Sequence, residues 1–445
     1  MGKAALLVVL GTSLVLGSML AGLNKRTASQ SEFISEHYER MISRNIANSA
    51  ANIAVSKLFQ DFSWRTGLTS TGMAGGYYAA DIQDINFDTT VAVQRVKVTA
   101  TSTYGGVTDT VIAVVARPPS SHYAQFTDNW PAANSYVTGD TLYGPIHTNT
   151  KFKFGGSPVF FGKVSSVDPG YDTWGSGAPQ FLGGTEFGAN AIPMPSLATG
   201  LQALRDSAIA GGDVYSANHV WLKFFDDGSY DYYEGAGFSG TYTGTKFLSA
   251  ITGVIMLDKN DKDIHVQGTV SGQVTIYGKG RHIYIDDDIL YADDPRTNPD
   301  SQDMLGLVAK KDIIVADSLA NHSDVEIHGA IMALNQEFKV ENLTAGPFGT
   351  MTLFGSTFQK QRGKLANGIL DSTDFTVTIT NGYALKSYYD NRFLHVGPPF
   401  FPTAQKTVVY SWLEDTRYRQ NHGVNVGSAG GVGVGGYQTG AGELN

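Results

Sequence analysis

Residues 4–23, AALLVVLGTSLVLGSMLAGL, form an uncharged stretch about as long as a membrane-crossing helix requires. An apolar helix of that length needs lipid or other helices around it, whatever the fold of the remaining chain. Lys3 precedes the stretch and Lys25 and Arg26 come directly after it, so the flanking charges do not fix an orientation. Three readings compete: a cleaved secretory signal, a plain N-terminal anchor, or the apolar half of a longer helix. A signal wants small residues at its cleavage positions. Met19-Leu20-Ala21 and Leu20-Ala21-Gly22 supply them poorly.

The next thirty residues favour the longer helix. Residues 31–58 contain neither Gly nor Pro. Ile34, Tyr38, Met41, Ile42, Ile46, Ala50 and Ile53 recur at helical spacing, with Glu32, Glu36, Glu39, Arg40 and Arg44 between them. The pattern predicts a nearly unbroken helix over residues 4–58, roughly 80 Å long at 1.5 Å per residue. Such a helix suits a subunit that packs helix against helix in a filament. An anchor joined to a separate amphipathic helix is the alternative, because periodicity does not establish continuity.

The segments ALLVVLGTSLVLGSMLAGLN and RNIANSAANIAVSKL (residues 44–58) resemble the N-terminus of PilX-type minor pilins of the type IV pilin-like class. The resemblance covers about the first sixty residues. It implies a helix inserted in the bacterial inner membrane before assembly, then packed among other pilin-like subunits in an extracellular surface filament. It also implies processing between Gly2 and Lys3. Typical prepilins carry Glu at the fifth mature position, where this chain has Leu7. That departure argues against a major pilin and against cleavage, and points to a minor or tip subunit.

Beyond the helix the sequence reads as mainly β. Gly, Tyr, Phe, Ser and Thr are abundant, which suits short strands joined by Gly turns. Residues 91–101 and 107–116 alternate apolar and polar around Gly105-Gly106, a hairpin signal. The run 117–121, RPPSS, reads as a linker. Residues 196–210 predict one internal helix, with a Ser cap and with Leu201, Leu204 and Ile209 on one face. From 251 to about 360, several short runs end as apolar-x-apolar-x-Gly, as in IHVQG (264–268) and VEIHG (325–329). Turns of that kind, stacked, make a β-solenoid (parallel β-helix), and an ordinary β-sandwich is the alternative. The aromatics Tyr383, Tyr388, Tyr389, Phe393, Phe400 and Phe401, with Pro398, Pro399 and Pro402, suggest a cap on that domain. The expected organisation is therefore a long helix over 1–60, a pilin-like antiparallel sheet over 61–120 and a Gly/aromatic-rich β region over 121–250. A solenoid-like domain over 251–415 and a Gly-rich tail over 416–445 complete it.

A second resemblance spans most of 140–402. The phrases GPIHTN, GSPVFFG, LVAKKDIIV, VEIHGAIMALNQEFKVEN and TLFGSTFQKQRGKL are similar to a domain of unknown function found behind pilin-like N-termini in exported bacterial proteins. It implies an envelope context and no assigned chemistry.

The net charge of −9 without a long basic run argues against a nucleic-acid partner. The lack of cysteine excludes disulfides, thiolate metal sites and a lipidated anchor. Asp258, Asn260, Asp261 and Asp263 form an oxygen-rich turn. It reads first as solvated and second as a calcium site, since the EF-hand Gly and closing Glu are missing. Asp286 and Asp288 would share one face of a strand. Paired carboxylates there suit an acid and a base across a sugar bond, but no Arg or His partner is readable. His147 and His328 read as structural hydrogen-bonding groups. The sequence thus favours a structural, non-enzymatic pilin-like subunit of a filament or secretion pseudopilus, with an outward β-domain for adhesion. The alternative is a membrane-anchored surface protein that binds or cleaves polysaccharide.

Overall fold

The computed structural model describes residues 2–85, 94–196, 201–235, 237–238 and 242–414, with residues 3–9, 29 and 31 described by backbone alone. The expected Gly-rich tail over 416–445 lies outside the described residues. The chain is mainly β, with one long N-terminal helix and large sheets. Its described residues divide into two compact units: those within 2–83, 97–115 and 409–414, and those within 84–96 and 116–408.

In the first unit, helix α1 runs from Gly2 to Gln60 without interruption, roughly 90 Å at 1.5 Å per residue. Its C-terminal part is buried along one stripe: Ser43, Ile46, Ala47, Ala50, Ala51, Ala54, Val55 and Leu58. That spacing is the apolar face of an amphipathic helix, and its small residues let another layer approach closely. The layer is a five-stranded sheet in the order β1 (Leu68–Met73), β2 (Gly76–Asp84), β3 (Gln94–Tyr104), β4 (Val107–Arg117), then Val408–Leu413. β1 and β2 pair antiparallel. β3 and β4 bury every second residue, as the alternation predicts. Gly105 and Gly106 link them with φ of 56° and 85°, the combination a type I′ hairpin turn demands. Ser43 Oγ donates to Val107 O at 3.1 Å and Ser102 Oγ to Ser43 O at 2.5 Å, which pins helix to sheet with satisfied hydroxyls. Trp412 Nε1 donates to Asn48 Oδ1 at 3.2 Å. The unit is therefore discontinuous in sequence, because the strand Val408–Leu413 returns to it beside β4.

The second unit is built on parallel ladders. One register runs Asp213, Ile255, Ile276, Leu307, Ile331, Thr357, Gln125, Ile146, Val164, Thr185, each paired in parallel with the next. The ladder order is not the chain order. The chain enters in the middle at Gln125–Asn129 and steps outward through Ile146–Thr148, Val164–Ser166 and Thr185–Phe187. It then restarts at the far end with Asp213–Tyr215 and returns to the middle at Pro347–Gln361. A second parallel row aligns Val220, Ile264, Ile283, Ile313 and Phe338. Strands buried on both faces read as continuous apolar runs, as parallel sheets require. In Val254–Leu257, Ile255 and Leu257 enter one core and Val254 and Met256 the other.

The internal helix α2 spans Gln202–Gly211, later than the sequence suggested; residues 197–200 lie outside the described residues. No side chain caps its start, and its buried stripe is Leu204, Ser207 and Ala208. Ile209, one residue past that stripe, is 69% exposed rather than on the buried face. Of the expected aromatic cap, Tyr383, Tyr389, Phe393 and Phe401 are buried, whereas Tyr388 is exposed.

Candidate functional site

Among the described residues, α1 carries a long run of exposed large apolar side chains. Leu10, Leu14, Val15, Leu16, Met19, Leu20 and Leu23 are each more than half exposed, and Phe33, Ile34 and Tyr38 continue the exposed run. These side chains surround the helix rather than lining one stripe, so no single packing layer would cover them. Among the described residues no helix is long and apolar enough to cross a membrane. The opening of the expected span, residues 3–9, lies outside those whose side chains are described. Gly2 is the first helical residue, and the side chain of Lys3, its expected processing partner, is likewise outside the description.

The acidic turn after Val254–Leu257 does not converge on one point. Asp258 is paired with the Lys279 ammonium. Asp263 is buried, 3.4 Å from His219 Nδ1 and 3.9 Å from Arg281 Nη1, and accepts the backbone N–H of His282 at 3.1 Å. Asn260 and Asp261 are exposed, and Asp261 has a φ of 66°. Among the described residues no group of three or more His, Cys, Asp or Glu is arranged to hold a metal ion. The protein's own cations and N–H groups already serve Asp258 and Asp263, the partners a hard cation would need to displace.

Asp286 and Asp288 each have a separate partner. In the strand Ile283–Tyr291, Val266 pairs with Ile285 but Gly268 with Ile289, so residues 286–288 bulge out of the ladder. Within the bulge Asp286 and Asp288 are half-buried and Asp287 is exposed. Asp286 Oδ2 lies 2.8 Å from His265 Nδ1 on the preceding strand of the row. Asp288 Oδ1 instead accepts the backbone N–H of Glu326 at 2.7 Å. Burial, with the nearby Asp287 and Glu326 charges, raises the Asp288 pKa.

Sequence reasoning missed the partners of these groups because they come from neighbouring strands. Arg296 Nη2 reaches Asp294 Oδ2 and Glu326 Oε1, each at 2.6 Å, and its guanidinium lies 5.0 Å from the Phe354 ring centre. His328 Nδ1 accepts the Tyr291 N–H at 3.0 Å, which leaves Nε2–H to donate to Glu326 Oε1 at 2.8 Å. Burial lowers the His328 pKa, consistent with the neutral ring these bonds define. His147 is similarly held: Nε2 lies 3.0 Å from Asn149 Oδ1 and Nδ1 2.8 Å from Ser165 Oγ, while Phe126 stacks on the ring. Burial pushes its pKa down to about 4. Both histidines are buried and hydrogen-bonded through both ring nitrogens.

A family model described as a domain of unknown function (DUF4900) matches residues 85–168. No curated protein matches the chain. Among solved structures, the crystal structure of the competence-associated pilin ComZ from Thermus thermophilus is similar, with 13% identity and a TM-score of 0.33, covering 84% of this chain and 96% of that one.

Proposed function

We propose that the chain is a structural, pilin-like subunit of a bacterial surface filament or secretion pseudopilus, in a minor or tip position. One observation carries the reading: α1 extends far beyond the sheet that buries its C-terminal part, and between Leu10 and Leu23 it exposes large apolar side chains around its circumference. Fully burying a Leu, Val or Met side chain is worth about 1.5–3 kcal/mol. Seven such residues between Leu10 and Leu23 are mostly exposed, so covering them would release on the order of 10 kcal/mol. Helices of neighbouring subunits supply that cover in the assembled state, and the inner membrane supplies it before assembly.

In this reading the parallel ladders of the second unit are coils of a β-solenoid-like (parallel β-helix) domain. Their in-register apolar rows and the two-faced burial of their strands support it. That domain faces outward from the cell. The missing acidic residue near the N-terminus, with Leu7 in its place, favours a minor or tip position.

The absence of native cysteine makes the test clean. Leu16→Cys on the protruding helix and Leu319→Cys, at a 91% exposed position of the second unit, are each expressed in cells and oxidised. Disulfide-linked dimers from Leu16→Cys alone are expected. Monomers from Leu16→Cys in every cell fraction would contradict helix-to-helix assembly.

A further inference from the structure

The second unit carries an open cleft of about 310 Å³ that the filament reading does not use. Two aromatic side chains at its edge, Tyr143 and Tyr388, are 45% and 42% exposed. Tyr143 is held in place because the Phe161 ring lies parallel to it, 3° from coplanar with centroids 4.9 Å apart. An exposed, fixed aromatic ring beside a cavity, with a second exposed ring near it, is a platform for the C–H face of a sugar ring.

The polar groups of the cleft are prearranged. Gln125 Oε1 accepts from Tyr136 Oη at 2.6 Å and from Arg362 Nη1 at 2.7 Å. That leaves the Gln125 amide N–H groups to donate elsewhere. The Arg362 guanidinium lies 5.1 Å and 4.9 Å from the Trp130 and Tyr136 ring centres, which holds its plane. Asp140 Oδ2 accepts the Val137 N–H at 2.8 Å, which orients the carboxylate as an acceptor in the wall. Lys386 lines the same cleft from the strand Val377–Tyr388. The cleft is therefore lined by two cationic side chains and one carboxylate, on a chain whose net charge is −9. A planar guanidinium is matched to a carboxylate ligand.

We propose that this cleft binds a hexuronate residue of an acidic polysaccharide. The sugar ring lies against Tyr143 and Tyr388, its carboxylate is held by Arg362 and Lys386, and a hydroxyl donates to Asp140. The volume suits one sugar residue, at the small end of ligand pockets. The site lies within one unit and needs no filament, so its failure would leave the assembly reading untouched.

The test is calorimetric titration of the detergent-solubilised full chain with oligogalacturonate and, separately, with neutral malto-oligosaccharide. Binding of oligogalacturonate is expected, with affinity lowered about tenfold or more by Arg362→Gln and by Tyr388→Ala. Tyr388 is exposed, so its replacement leaves the fold in place and keeps the test meaningful should Arg362→Gln misfold. No binding of oligogalacturonate overturns the site. Equal or tighter binding of the neutral oligomer overturns its preference for acidic sugars. Binding that survives both substitutions overturns its location.

Discussion

Gly355 shows how much of this molecule turns on single positions. It pairs with Gly329 across the strands Pro347–Gln361 and Val325–Ala333, at a φ of 148°. A Cβ there would sit 1.9 Å from the Gly329 carbonyl oxygen, a backbone atom that cannot move aside. Gly355→Ala should therefore lower stability by about 2 kcal/mol or more in chemical denaturation. Gly346→Ala, where nothing lies within 4 Å of the added carbon, should stay within about 0.5 kcal/mol. The sequence motif apolar-x-apolar-x-Gly announced such positions. It did not announce the partners of the acidic residues. Asp286 meets His265 and Asp288 meets the Glu326 N–H only because separate strands are stacked, and the bulge at 286–288 has no sequence signature of its own. His147 gives a second prediction at this scale. Its folded pKa of about 4 lies below the usual value of 6.5, so the unfolded chain takes up the proton more readily. Its contribution is complete above about pH 6.5 and falls as pH drops, with roughly 3 kcal/mol lost by about pH 4. Melting temperatures tracked across that window should show the loss in the native chain, and His147→Gln should remove that part of the pH dependence.

At the scale of elements, α1 is one helix with two surroundings. Its helical character was legible because residues 31–58 carry no breaker and keep a helical apolar period, whereas its continuity with residues 4–23 is shown by the structure. Where its burial begins was not, because Ala47, Ala50, Ala51 and Ala54 mark a close-packed face only once the sheet is present. Ala51→Leu should destabilise the first unit by about 1–3 kcal/mol through overpacking. Ala21→Leu, on the exposed part, should leave its unfolding transition in place. The β3–β4 hairpin was readable from period-two alternation and Gly105-Gly106. The parallel rows were visible only as a tendency: strands that stack in register begin at residues 254, 273, 304, 325 and 347. Register is set by hydrogen bonding and inward apolar residues, while the intervening loops take any length.

For the whole molecule, the ladder that crosses chain order ties Gln125–Asn129 to Pro347–Gln361, so early and late segments of the second unit complete one another. No reading along a single chain reveals that adjacency. The proposed filament assembly rests finally on solvation of the protruding helix, and sedimentation measures it most directly. Full-length protein and a variant lacking residues 2–38 are centrifuged in detergent-free buffer. The full chain is predicted to pellet with membranes or as assemblies, and the variant to remain a folded monomer in solution. A full chain that stays monomeric and dissolved without detergent, with α1 intact, would contradict a helix that needs lipid or neighbouring helices around it.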